Sequence, residues 1–205
     1  MVQRWLRAFR SYRTLSGLRA PVRVSLVFVM AAAQPAQAQA DYSFEALRRG
    51  DAIEVRAHAL LDAPAQLVWQ VISDYERLPQ FVPGISRSVV LARQGNHVAV
   101  EQSGEARFGI FAIPIEVRYD VLEGAPDWIA SHAVGGNLRR MSGRYEIHPD
   151  GERGGVVLHY FGTIEPDFPL LPLIGVAVLR AYAEEQFAAM AREIRRRAAE
   201  QRPAR

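Results

Sequence analysis

The chain has 205 residues, 25 Lys+Arg against 22 Asp+Glu, a formal net charge of +3 and no cysteine. The absence of thiols excludes disulfide staples, thiol nucleophiles and Cys-ligated zinc. Every basic residue is arginine, and the excess sits at the two ends, which leaves the body, 41–190, at about −7 and excludes nucleic-acid binding through phosphate contacts.

Residues 1–40 carry Arg4, Arg7, Arg10, Arg13, Arg19 and Arg23 without an acid, then an apolar run over 24–33, then Gln-Pro-Ala-Gln-Ala-Gln-Ala. That order of charged, apolar and small residues predicts a secretory signal peptide. Cleavage is expected after Ala38 or Ala40, each ending an Ala-x-Ala pattern, which places the mature chain in the periplasm or outside the cell. The apolar run falls short of the about 20 residues that span a bilayer. An uncleaved anchor and a misplaced start codon are the alternatives. The leader has no paired arginines, which favours general secretion over the twin-arginine route.

Residues 41–51 read as a polar lead-in. Ile53, Val55, Ala57, Ala59 and Leu61 alternate with Glu54, Arg56 and His58, the period of a half-buried strand. Asp62-Ala63-Pro64 stops it and predicts a helix, with Asp62 as cap and Leu67, Val68, Val71 and Ile72 as its apolar face. Ser73 or Asp74 is expected to cap a second short helix over 75–81, closed by Pro83-Gly84. Six strands follow, over 86–93, 98–108, 113–122, 128–134, 140–148 and 156–165, with connections short enough for an antiparallel meander.

The last element spans 173–199. Val176, Leu179, Ala183, Phe187, Met190, Ile194 and Ala198 recur every three or four positions and predict one long helix. The Arg195-Arg196-Arg197 run near its end reads as cations complementing the helix dipole, with anionic lipid as the second reading. The fold class expected is α+β: a seven-stranded curved antiparallel sheet wrapped around a long C-terminal helix, with two short helices after the first strand. The domain spans 52–199, and 200–205 is a polar tail.

Two stretches carry a family resemblance. Ala63-Pro64-Ala65-Gln66-Leu67-Val68-Trp69 through Ser73-Asp74-Tyr75-Glu76-Arg77-Leu78-Pro79-Gln80-Phe81-Val82-Pro83-Gly84 is similar to the helix pair of the START-like (SRPBCC) superfamily, in its polyketide cyclase/dehydrase and coenzyme Q-binding branch. Asn137-Leu138-Arg139-Arg140-Met141-Ser142-Gly143-Arg144-Tyr145-Glu146-Ile147 resembles a later strand of the same family. The resemblance implies a helix-grip fold enclosing an apolar pocket for a lipid-like or aromatic ligand. Its motifs mark the fold rather than an activity.

For chemistry, the residues offer little. His58, His97, His132, His148 and His159 show no metal-ligand spacing, and no nucleophile elbow, phosphate loop or dinucleotide fingerprint occurs. Glu165-Pro166-Asp167 stands at a strand end, where a loop or capping role is expected. Along 98–108 the inward positions include Gln102, Gly104 and Phe108 among Val98, Val100 and Ala106; Gly143 and Gly162 add further positions without side chains. Small residues under a long helix leave room for a ligand, or else admit a close approach of Tyr182 or Phe187 to the sheet. The pocket residues expected are Phe81, Gln102, Gly104, Phe108 and Tyr119, then Met141, Gly143, Tyr145 and Tyr160 from the later strands, and Leu179, Tyr182 and Phe187 from the helix.

Apolar segments at 108–114 and 168–175 read either as ordinary core lids or, the favoured reading, as a pocket mouth that touches a membrane or partner through Phe111, Leu170, Leu171 and Ile174. The reading is an exported domain that binds a hydrophobic small molecule, lipid- or quinone-like, non-covalently as a carrier or chaperone. An aromatase/cyclase-type enzyme for an aromatic or polyketide-like substrate is the rival, and Gln102 is no general base. A protein-interaction module of the cell envelope is the third class. Neither cofactor nor metal is expected; the partners expected are the small molecule and, transiently, a membrane surface.

Overall fold

A computed structural model describes residues 42–151, 154–167 and 174–202. The expected leader, Leu170 and Leu171, and the side chains of Phe108, Phe111 and Ile174 lie outside the described residues. The order is β1 (Tyr42–Arg49), β2 (Ala52–Leu61), α1 (Ala65–Ile72), a 3-10 turn (Tyr75–Arg77), α2 (Leu78–Phe81), β3 (Ile85–Gln94), β4 (His97–Phe108), β5 (Phe111–Gly124), β6 (Trp128–Gly136), β7 (Leu138–Pro149), β8 (Val156–Pro166) and α3 (Ile174–Gln201). The strands form one antiparallel sheet in the order β1-β2-β8-β7-β6-β5-β4-β3.

The sheet has eight strands where seven are expected, because the lead-in is itself a strand. Its alternation is brief: Tyr42, Phe44 and Ala46 pack against the core, while Leu47 breaks the pattern by pointing outward at 53% exposure. Tyr42 meets Phe187 edge-on at 6.1 Å, which ties β1 to α3.

Elsewhere period-two patterning places the side chains as expected. Ile53, Val55, Ala57, Ala59 and Leu61 of β2 are buried, as are Val98, Val100 and Ala106 of β4 and Ile115, Val117, Tyr119 and Val121 of β5. Helix α3 contacts β1, β2 and β4 on the sheet and α1 and α2 beside it. Consequently all of 187–191 is buried, a wider face than the one stripe read from spacing.

The caps differ from expectation. Pro64, not Asp62, precedes α1, and no side chain bonds the helix start; Asp62 accepts from Arg202 instead. Neither candidate caps the second helical segment: Ser73 donates back to the Trp69 carbonyl at 2.7 Å, and the Asp74 carboxylate serves Arg77 and Arg197. Longer-range partners outcompete local capping at both sites.

The arginine run is likewise committed to partners. Arg197 lies 3.3 Å from Asp74 and 2.7 Å from Glu193, Arg196 pairs with Glu193 and Glu200, and Arg195 donates to the Leu60 carbonyl at 3.1 Å. Arg197 thereby fastens α3 to the α1–β3 segment and Arg195 fastens it to β2, while Arg196 pairs within the helix.

Candidate functional site

Under α3, between the sheet and the segment 72–85, lies a cavity of about 110 Å³. Strands supply Val100 and Gln102, Tyr119 and Val121, Ile129 and Ser131, Met141, Gly143 and Tyr145, and Tyr160. The opposite wall is built from Ile72, Tyr75, Leu78, Val82 and Ile85, and α3 closes the space with Gln186 and Met190.

Of the expected pocket residues, Gln102, Tyr119, Met141, Gly143, Tyr145 and Tyr160 meet here. Phe81, Gly104, Leu179, Tyr182 and Phe187 do not. Leu179 and Phe187 are packed solid at 1% exposure. Phe81 lies under the Arg197 guanidinium at 5.5 Å. Gly104 makes no room for a ligand: a Cβ there would overlap the Gly84 carbonyl, whose oxygen accepts from the Glu105 N–H at 2.9 Å. Tyr182 packs over Gly84 in turn.

Gly162 is also occupied by protein. It pairs with Gly143 across β7 and β8, and a Cβ on Gly162 would stand 2.6 Å from the Tyr160 hydroxyl. The glycine pair therefore seats the Tyr160 phenol on the sheet, and that phenol then faces the cavity. From this wall the sequence names only Phe81 as a pocket residue and places 75–81 in a short helix, without assigning Tyr75, Leu78, Val82 or Ile85 to the site.

The polar groups of the lining are phenols, amides and a hydroxyl. Gln102 donates to Ser88 at 3.2 Å, the Tyr119 hydroxyl to the Met141 sulfur at 3.1 Å, and the Tyr75 hydroxyl to Glu123 at 2.9 Å. The Tyr145 and Tyr160 rings sit 4.7 Å apart. Burial pushes the Tyr119 and Tyr145 phenols well up, and pushes Tyr160 and Tyr182 up to about 12. All four stay protonated at physiological pH and act as hydrogen-bond donors. Among the described residues no sealed polar side-chain atom lacks a partner.

Among the described residues no carboxylate and no imidazole is part of this lining. His58, His97, His132 and His148 are exposed and His159 is half-buried, with His159 between the rings of His58 and His148 at 5.9 and 5.3 Å. Among the described residues no group of three His, Asp or Glu is arranged to hold a metal ion. Glu165 and Asp167 pair with Arg139, and Glu165 also with Arg140.

A family model described as polyketide cyclase / dehydrase and lipid transport matches residues 61–191. No curated protein matches. A START superfamily protein from Mycobacterium smegmatis is 19% identical, covering 73% of this chain and 99% of that one at a TM-score of 0.58. The Zhui aromatase/cyclase from Streptomyces sp. R1128 is 17% identical over 75% of this chain and 97% of that one, at 0.59. A STAR-related lipid transfer protein fragment from Xanthomonas axonopodis is 17% identical over 76% and 99%, at 0.57. At these identities the likeness is one of fold.

Proposed function

The chain belongs to the polyketide cyclase / dehydrase and lipid transport family, and from that premise we propose that it binds a hydrophobic, quinone- or lipid-like molecule non-covalently, as a carrier or chaperone. One observation carries this reading: among the described residues the cavity is walled by apolar side chains and neutral polar groups. A proton-transfer catalyst near neutral pH needs a group that titrates there. The lining phenols are pushed far above that range, which favours binding over an aromatase/cyclase reaction.

Size narrows the ligand. An engineered cavity of roughly 150 Å³ takes benzene, so about 110 Å³ admits no more than one ring and no whole acyl chain. A buried carboxylate or phosphate would find no cation in the lining, and an unpaired buried charge is costly. The favoured ligand presents an uncharged oxygenated ring.

The reading includes export through the leader and loading at a membrane. Ile110, at the β4–β5 tip, is 95% exposed, which supports an apolar contact beside the expected mouth. Titration calorimetry of the intact protein with duroquinone and with palmitate tests the proposal. Saturable duroquinone binding that exceeds palmitate binding is the expected result; no saturable binding of either would overturn it.

A further inference from the structure

The hairpin of β6 and β7 is paired only from Trp128–Glu146 to His132–Ser142. Beyond that point β6 follows β5, reaching Gly136 opposite Val117, and β7 follows β8, starting at Leu138 opposite Pro166. Residues 133–141 therefore form an arch whose two limbs do not pair with each other. Each limb also carries one extra residue. Ala133 and Gly135 face Tyr119 and Arg118, leaving Val134 over; Leu138 and Arg140 face Pro166 and Glu165, leaving Arg139 over. A bulge bends its strand and re-aims it, and two bulges on facing limbs part them.

The crown of the arch is held away from the gap. The Asn137 N–H donates to the Glu116 carbonyl at 2.9 Å, its Oδ1 accepts from the Glu116 N–H at 2.9 Å, and its Nδ2 donates to the Pro114 carbonyl at 2.7 Å. Gly136 makes this approach with φ 112°, and a Cβ there would overlap the Glu116 carbonyl. On the other limb Arg139 is drawn to Glu165 and Asp167.

The gap borders the cavity at Met141. Ser131 and Gly143, a pair beside it, line both the cavity within and a groove on the outer face that includes His132 and Ser142. Met141, on the β7 limb, lines the cavity and is held there by the Tyr119 hydroxyl. The other wall is fastened far more firmly. Asp74 is bound to Arg197 and Arg77, and Glu123 takes both Tyr75 and Arg93, the latter at 2.7 Å. Charge-assisted bonds are roughly twice as strong as neutral ones, whereas a methionine side chain re-packs readily.

We propose that the slit between β6 and β7, stoppered by Met141, is the passage through which an uncharged ring-sized ligand enters and leaves the cavity. The proposal rests on the binding reading above. It assigns the opening to a thioether swinging aside rather than to release of the 72–85 wall.

The cysteine-free chain allows a direct test. Val134→Cys and Arg139→Cys each place one thiol on a limb of the slit, at positions 56% and 57% exposed. Glu76→Cys places one on the exposed side of the opposite wall. Each variant, before and after labelling with a bulky maleimide, is mixed with duroquinone in stopped flow, and binding is followed by quenching of the protein fluorescence. Labels at the slit are expected to slow association and dissociation at least tenfold with little change in affinity, and the label at position 76 to leave both rates unchanged. Unchanged rates with slit labels overturn the passage, and slowing only by the label at position 76 moves it to the other wall. Failure of the unlabelled wild-type chain to bind duroquinone removes the binding reading and the passage together. The two slit variants lie on different limbs, so misfolding of one leaves the other to decide.

Discussion

Arg197 reaches Asp74 at 3.3 Å across most of the chain, and each side chain is only 17% exposed. The same guanidinium takes Glu193 at 2.7 Å and covers Phe81, so one residue of α3 holds the segment that forms a cavity wall. Arg197→Ala leaves two carboxylates short of a partner and is expected to destabilise by about 2–3 kcal/mol, somewhat below the cost of breaking a fully buried pair. Arg192→Ala, at an exposed position, should cost under about 0.5 kcal/mol. Side-chain hydrogen bonds from Arg196 and Arg197 hold the Glu193 carboxyl at about 2. A depressed carboxylate stabilises above its unfolded-state value and loses that contribution as pH falls through its folded one. Urea midpoints should therefore drop between about pH 4.5 and 2, and less so in Glu193→Gln.

Two sheet glycines are expected to respond oppositely. Gly143→Leu enters the cavity, where its Cβ would meet Tyr160 and Ser131 side chains at 3.2–3.3 Å that can yield. It should lose duroquinone binding at a cost of about 1–3 kcal/mol in stability. Gly104→Ala adds one methyl against the Gly84 backbone and should destabilise more, with no direct effect on the lining. Chemical denaturation beside titration calorimetry separates the two; a large stability loss at Gly143 with binding intact would remove the cavity from the function.

Tyr145→Phe and Tyr160→Phe each delete one donor from the lining. Duroquinone affinity should fall about three- to tenfold per hydroxyl, the weight of one hydrogen bond, with thermal stability nearly unchanged. Burial raises these phenols, so their donor form persists as pH rises until about 12 for Tyr160. Affinity should accordingly be flat from about pH 6 to 9. A sigmoid in that window would point to a titrating group in contact with the ligand.

Loading at a membrane predicts a kinetic phenotype. Ile110→Ser, at the most exposed apolar side chain of the described residues, should slow transfer of a pyrene-labelled quinone between vesicles while leaving its affinity intact. The paired change Phe111→Ser with Leu171→Ser extends the test to both apolar segments named from the sequence. Reduced affinity with unchanged transfer would make these residues pocket walls.

Export is tested at the protein level. N-terminal sequencing of the native chain should find Gln39 or Asp41 first, since an Ala-x-Ala pattern ends at Ala38 and again at Ala40. A soluble cytosolic chain beginning at Met1 would contradict it.

The fold was legible in the sequence because its signals are local. Period-two alternation in 53–61, 98–108 and 113–122 and the three-four spacing of Val176 to Ala198 depend only on which side of an element faces water. The lead-in strand escaped because Tyr42, Phe44 and Ala46 make too short an alternation before Leu47 and Arg48 contradict it. The site was only half legible. Inward facing of Gln102, Tyr119 and Met141 follows from strand parity, but parity does not say whether an inward glycine opens space or receives another group. Only the folded chain decided that Gly104 receives the Gly84 backbone while Gly143 faces the cavity. The same holds for Arg197, read as part of a helix-end charge run and found paired with Asp74, 123 positions away. Burial periodicity is a property of single elements, whereas cavities, clamps and slits arise where elements meet, and those meetings are set by packing across the whole chain.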